Sequence, residues 1–131
     1  MNYIAHFWGK VVAGKKRGRL LGFPTANLRL HKLVPEGIYI SQTKVGNHLY
    51  PSVTFIGEAK TYGENDYKAE SYILDFDHSF YGKWISIYLI KKIRNNHQFS
   101  SEADLIDQIR SDVKYAKTYF ASLKYHTSHI S

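Results

Sequence analysis

The sequence predicts a mainly β fold, a small barrel of about six antiparallel strands with one α-helix at the C-terminal end. Three observations carry that expectation. Aromatic and β-branched residues recur in short runs, with 11 Tyr, 7 Phe and 2 Trp among 131 residues, and these residue types favour the pleated surface of a strand. Gly, Pro and Asn punctuate the runs at short intervals. Only near the end does the apolar spacing change from two to three and four.

Taken in order, residues 3–13 form a first strand. Gly14 to Gly22 is a loop, and Pro24 keeps a helix from running through it. Thr25–Leu30 alternates weakly and forms a short strand. Pro35-Glu36-Gly37 is a turn leading into a strand over Ile38–Val45. Gly46-Asn47 stands between two β-prone runs, a hairpin signal. Residues 48–56 return as a strand ending at Gly57, and Glu58–Asp66, polar and holding Gly63 and Asn65, reads as a mobile loop. Tyr67–Phe76 and Trp84–Ile90 alternate as strands, joined by a polar turn through Asp77-His78-Ser79 and Gly82. Ser101-Glu102-Ala103-Asp104 resembles a capping box with Asp in its last position. Ala103, Ile106, Ile109, Val113, Ala116 and Phe120 then form one apolar stripe. A helix over about residues 101–121 follows, with a frayed polar tail at 122–131. Closing the strands into a barrel removes vulnerable edges. One domain over residues 1–131 is the expectation for this length.

Composition narrows the function classes. There is no cysteine, which excludes disulfide scaffolds, thiolate metal sites and cysteine nucleophiles, and fits a reducing cytoplasm. No apolar stretch approaches a membrane span, and the Met1-Asn2-Tyr3-Ile4 start lacks the order of a signal peptide. A cytoplasmic monomer with no membrane partner is expected. The net charge is +7, attractive to a nucleotide or a nucleic acid alike. Cations concentrate at Lys15–Arg19 and Lys91–Arg94, while carboxylates of residues 58–77 and 102–112 balance the later chain. That pattern marks local anionic sites rather than a basic stripe. The seven histidines show no metal-ligand spacing.

The stretch Gly9 to Asn27 is the most informative. Gly9, Gly14, Gly18 and Gly22 interleave with Lys15, Lys16, Arg17 and Arg19, and Pro24-Thr25-Ala26-Asn27 follows. Glycine allows close backbone approach, and amide N–H groups with added positive charge cradle phosphate oxygens. Thr25 and Asn27 supply hard oxygens suited to Mg²⁺. Gly14, Lys15, Gly18, Gly22, Pro24, Thr25 and Asn27 are therefore the candidate nucleotide-phosphate site. The run also opens like a P-loop, G-x-x-x-x-G-K-[ST], but Lys16 stands where the hydroxyl must be and no βαβ pattern surrounds it. Taken singly, Thr25 and Asn27 could stabilise a turn, the glycines could be hinges and the lysines a solvated face.

A second feature lies in Tyr67–Phe76. Period-two alternation puts Glu70 on the face of Tyr72, Leu74 and Phe76, with Lys68 nearer the loop. Desolvation of a carboxylate on an apolar face raises its pKa toward the range of a general base. The structural alternative is a half-buried face on which Glu70 pairs with a lysine.

The run Gly9-x-Val11-x-x-Gly14-x-x-x-Gly18-x-x-Leu21-Gly22-Phe23-Pro24-Thr25-Ala26-Asn27 resembles the signature of the riboflavin kinases (flavokinases). Further matches follow in order: Pro35-Glu36-Gly37-Ile38-Tyr39, Ile56-Gly57, Glu70 through Asp75-Phe76, Phe80-Tyr81-Gly82, and Phe99 onward into the helix. The resemblance covers nearly the whole chain. It implies a six-stranded antiparallel Greek-key β-barrel with a C-terminal helix. It implies transfer of the γ-phosphoryl group of ATP to the ribityl 5′-hydroxyl of riboflavin, giving FMN and ADP. Thr25 and Asn27 would hold Mg²⁺, or another divalent ion such as Zn²⁺ or Mn²⁺, and the phosphates. Glu70 would be the catalytic base, with Arg94 and Phe99 on the flavin side. The expected partners are ATP/ADP and riboflavin/FMN, not nucleic acid.

Some positions depart from the family pattern. Phe55 stands where many relatives carry Asn, Lys60-Thr61-Tyr62 replaces Pro-Thr-Phe, and Arg94-Asn95-Asn96 lacks the acidic residue of Arg-x-Glu. Two other functions also fit the sequence. A flavin-binding module on the same scaffold would bind without turnover, and a basic barrel would bind single-stranded nucleic acid through stacking and cations.

Overall fold

A computed structural model describes residues 2–12, 24–30, 34–61, 64–75 and 82–130, with side chains left undescribed at 59–61, 64–66 and 124–130. Six strands form one antiparallel sheet: β1 (Ala5–Lys10), β2 (Thr25–Arg29), β3 (Gly37–Val45), β4 (His48–Thr61), β5 (Glu64–Ile73) and β6 (Trp84–Arg94). One helix follows, α1 (Glu102–Ile130). The strand order is β1-β6-β3-β4-β5-β2. β3, β4 and β5 are consecutive hairpins and β6 returns beside β3, which is a Greek key. The sheet curls until its two edges meet, where the Val12 amide donates to the Asn27 carbonyl at 2.8 Å. The expected six-stranded β fold with a terminal helix is what forms.

Several boundaries differ from the sequence expectation, each for a physical reason. The first strand stops at Lys10, and Val12 keeps only its bridge to Asn27. Residues 58–66, expected as a loop, are mostly paired strand, with Glu58 opposite Tyr67 and Thr61 opposite Glu64. Polarity of sequence does not end backbone pairing, which uses N–H and C=O groups that each of these residues carries. Tyr62 and Gly63 lie outside the described residues, as do Phe76 and the turn at Asp77-His78-Ser79. β6 continues to Arg94, with register shifts against β3 near Tyr39 and Ser41. The Gly46-Asn47 hairpin forms as expected, with Gly46 at φ +62° in a two-residue loop.

The helix begins where the capping signal places it. Ser101 Oγ accepts from the Asp104 amide at 3.1 Å, while Ser100 Oγ donates to the Asp104 carboxylate at 2.9 Å. It then runs to Ile130, so the frayed tail expected from residue 122 is corrected to helix. No Gly or Pro occurs in 121–130 to stop it. Loss of the apolar stripe from the sequence there does not end the helix. Ile109, Val113 and Ala116 are buried as the stripe predicts, whereas Ala103 is exposed. No described helix is long and apolar enough to cross a membrane.

The sheet carries a core on each face. Inside the barrel Phe7, Leu28, Tyr39, Ile56, Ile73, Ile85, Ile87 and Leu89 pack together. Between them runs a chain of buried hydroxyls. Ser41 meets Thr54 and Ser52 at 2.7 Å each, Ser52 meets Thr43 at 2.9 Å, and Thr43 meets Ser71 at 2.8 Å. On the outer face Ile38, Ile40, Val53, Tyr72, Leu74 and Ile90 pack under Ile109, Val113 and Ala116 of α1. The segment before β3 is tied down by two phenols. Tyr39 donates to the Pro35 carbonyl at 2.6 Å, and Tyr67 donates to the Val34 carbonyl.

Candidate active site

β2 is short, yet it places two of the expected site residues, Thr25 and Asn27, with Pro24 immediately ahead of it. The Pro24 carbonyl accepts from the Ile73 amide at 2.9 Å, which fixes where the chain enters the sheet. From there β2 pairs with β5, so that Thr25 faces Tyr72 and Asn27 faces Glu70 directly. Directly opposed residues of an antiparallel pair point to the same side, about 5 Å apart at Cβ. Ala26 and Leu28 fill the barrel interior, so by alternation Thr25, Asn27 and Glu70 stand on the outer face.

That face is closed to water at this point. Thr25, Asn27 and Glu70 are 7%, 2% and 6% exposed. Thr25 Oγ1 and Asn27 Nδ2 are buried with no hydrogen-bond partner. Folded proteins rarely leave such groups unsatisfied, because each forgoes the hydrogen bonds water would supply. Polar atoms left this way beside a carboxylate are what a site for a charged ligand needs. The Thr25 hydroxyl is a hard oxygen donor, and the Asn27 amide offers both a carbonyl oxygen to a cation and an N–H to a phosphate. Among the described residues no three His, Asp or Glu side chains gather. A divalent ion here would thus share its shell between these few oxygens, phosphates and water, which is the habit of Mg²⁺. The residues fit such an ion carried in with a nucleotide.

Glu70 begins a row across the outer face. Register places Glu70 beside Phe55, Phe55 beside Ile38, and Ile38 beside Arg94. From Asn27 to Arg94 the row spans four strand spacings, roughly 19 Å. At its far end Arg94 Nε donates to Asp112 Oδ1 at 2.9 Å, and Nη2 to Oδ2 at 2.8 Å. The guanidinium also lies 5.9 Å from the Phe99 ring centre. Arg94 and Phe99 are therefore together, but separate from the Thr25–Asn27–Glu70 group. Much of the guanidinium is already committed to joining β6 to α1.

Two further residues matter here that residue type did not single out. Asp112 is 4% exposed and also accepts from Gln108 Nε2 at 3.1 Å. Its spacing from Ile109, Val113 and Ala116, next to the apolar stripe, was the available signal. Asn96 Nδ2 donates to the Ile56 carbonyl at 3.0 Å, and its Oδ1 is buried without a partner. Gly57 makes room for this: a Cβ there would lie 2.9 Å from Asn96 Nδ2 and 3.0 Å from the Phe55 ring. The expected phosphate residues Gly14, Lys15, Gly18 and Gly22 lie outside the described residues.

A family model described as riboflavin kinase matches residues 1–120. A trifunctional RibF/MnmA protein of Mycoplasmoides gallisepticum is 38% identical over 115 residues, covering 86% of this chain and 18% of that protein. A bifunctional riboflavin kinase/FMN adenylyltransferase of Haemophilus influenzae is 36% identical over 118 residues, covering 88% of this chain and 38% of that one. The chain thus spans well under half the length of these relatives. Among solved structures, riboflavin kinase from Trypanosoma brucei matches with a TM-score of 0.60 at 29% identity, over 88% of this chain and 79% of that chain.

Proposed function

This chain belongs to the riboflavin kinase family, and we propose that it moves the γ-phosphoryl group of ATP onto the ribityl 5′-hydroxyl of riboflavin. The products are FMN and ADP. One observation supports this above the others: Glu70 is buried directly opposite Asn27, beside unpartnered polar atoms of Asn27 and Thr25. Phosphoryl transfer asks mainly for alignment and for neutralised charge on the transferring oxygens. Thr25 and Asn27 take the metal and phosphate roles, and Gly14, Lys15, Gly18 and Gly22 are assigned to the phosphates with them. Thr25 and Asn27 would hold the divalent ion, assigned as Mg²⁺, which when bound would offset the negative charge of the transferring phosphoryl group. Glu70 accepts the proton of the attacking hydroxyl, which makes that oxygen a better nucleophile as the P–O bond forms.

The flavin half of the proposal runs along the same row. Phe55 offers an apolar wall next to Glu70, and Asn96 Oδ1 an unpartnered acceptor for a flavin N–H. Arg94 and Phe99 close this end, with Arg94 held in place by Asp112. We assign the reaction to residues 1–131 acting as one monomeric cytoplasmic domain.

The test is direct. Incubated with riboflavin, ATP and Mg²⁺, the protein forms FMN, and Glu70→Gln lowers kcat about a hundredfold to ten-thousandfold, the range for a positioned base. Wild-type protein that binds riboflavin but makes no FMN, across several divalent ions and nucleotides, removes the kinase reading in favour of a flavin-binding module.

A further inference from the structure

The outer face of the sheet has two halves. Helix α1 covers the half built from Ile38, Ile40, Val53, Tyr72, Leu74 and Ile90. Among the described residues nothing packs over the other half, on β1, β6 and the turn end of β3. Register puts His6 beside Tyr88, Lys10 beside Trp84, and Trp8 beside Ser86. The last row continues through Lys44 to Leu49. Phe7 points into the barrel, so His6, Trp8 and Lys10 point out, and their cross-strand partners with them. Trp8 and Trp84 are each 66% exposed. His6 stacks on Tyr88 with ring centres 4.1 Å apart and planes 3° from parallel, and Tyr3 meets the same ring at 4.7 Å. Large exposed rings gathered on one face mark an interaction surface, and neither the core nor the Glu70 site uses them.

The charge on this face has one sign. Residues 2–12, 37–57 and 82–101 contain no Asp or Glu. β1, β3, β6 and most of β4 therefore carry only cations, with Lys10, Lys44 and Lys83 exposed. We propose that this face binds single-stranded nucleic acid. Bases stack on Trp8, Trp84 and the His6–Tyr88 pair, while Lys10 and Lys44 neutralise backbone phosphates. A lipid surface or an apolar protein face fits less well. Lys44 and Ser86 stand between Trp8 and Leu49 in one row, and burying them would strand a charge and a hydroxyl. A nucleic-acid strand uses both. No linear basic stripe announces this surface, because Lys10, Lys44 and Trp84 come together only through strand register.

The 2 Trp of the chain are Trp8 and Trp84, so all indole fluorescence reports from this face. Titration with a short oligouridylate in the absence of Mg²⁺ quenches that fluorescence. Affinity falls with salt, with a log–log slope of about −1.4 for the two phosphate contacts at Lys10 and Lys44. Trp8→Ala weakens binding about tenfold or more and leaves FMN formation unchanged. The paired change Lys10→Gln with Lys44→Gln flattens the slope by about 1.4. Any of four results overturns the proposal: no quenching at low salt, equal affinity in Trp8→Ala, displacement of the oligonucleotide by ATP–Mg²⁺, or quenching by phosphatidylglycerol vesicles but not by oligonucleotide. FMN formation by the same preparation is a separate readout. Oligonucleotide binding by protein that makes no FMN would remove the kinase reading and leave this one standing.

Discussion

Thr25 shows how a single side chain can be placed against the interest of stability. Its hydroxyl is buried and unpartnered on a strand where valine would fit as well. A buried hydroxyl without a hydrogen bond opposes folding by about 1–3 kcal/mol. Thr25→Val removes that cost at nearly constant shape, so it should leave the protein as stable as before or up to about 1 kcal/mol more so, while lowering FMN formation. Thermal unfolding and a kinase assay on the same sample check both halves. A hydroxyl with a purely structural role would give the opposite pattern, lost stability with retained activity. Asn27, 2% exposed with an unpartnered Nδ2, follows the same logic. Asp112 is the contrasting case, since its carboxylate is fully engaged by Arg94 and Gln108.

At the scale of elements, hydrogen-bonded phenols hold the approach to β3. Burial lifts the Tyr39 phenol above its ordinary value, and burial followed by the nearby Glu36, Tyr39 and Glu58 does the same for Tyr67. A raised phenol pKa means that the folded state favours the protonated form. The stability this contributes is fully present below the unfolded value of about 10 and is lost as pH rises through the folded value. Tyr67→Phe should therefore cost about 1 kcal/mol near neutrality, through the lost bond to the Val34 carbonyl. It should also show a shallower loss of stability above pH about 10, read from urea unfolding across the alkaline range. Strand existence was legible from short β-prone runs such as Ile38–Val45, and the Glu70 face from simple alternation. Boundaries were less so. Residues 58–61 and 64–66 look like a loop because they are polar and lack alternation, whereas the backbone of β4 and β5 pairs through them. The Asn27–Glu70 opposition was not readable locally, since it depends on β2 and β5 finding a register across 43 residues of chain.

Across the whole molecule, the sheet separates two duties. The barrel interior is filled by apolar side chains and a satisfied hydroxyl chain, and the outer face holds the helix, the Glu70 row and the bare aromatic surface. The Glu70 site and the barrel interior thus draw on alternate residues of the same strands, so site substitutions can be made with little disturbance to the interior. The hydroxyl chain from Thr54 through Ser41, Ser52 and Thr43 to Ser71 ties β3, β4 and β5 together. Removing one member leaves a partner unsatisfied, whereas removing both ends of a bond is nearly neutral. Thr43→Val and Ser71→Ala combined should cost less than the sum of the single changes, with a coupling of about 0.5–3 kcal/mol by chemical denaturation; additivity would mean the contact contributes nothing. A lineage that inherits this barrel therefore cannot drift toward an all-apolar interior one residue at a time. Each single step deprives a neighbouring hydroxyl of a hydrogen bond, so the five groups hold one another in place as a set.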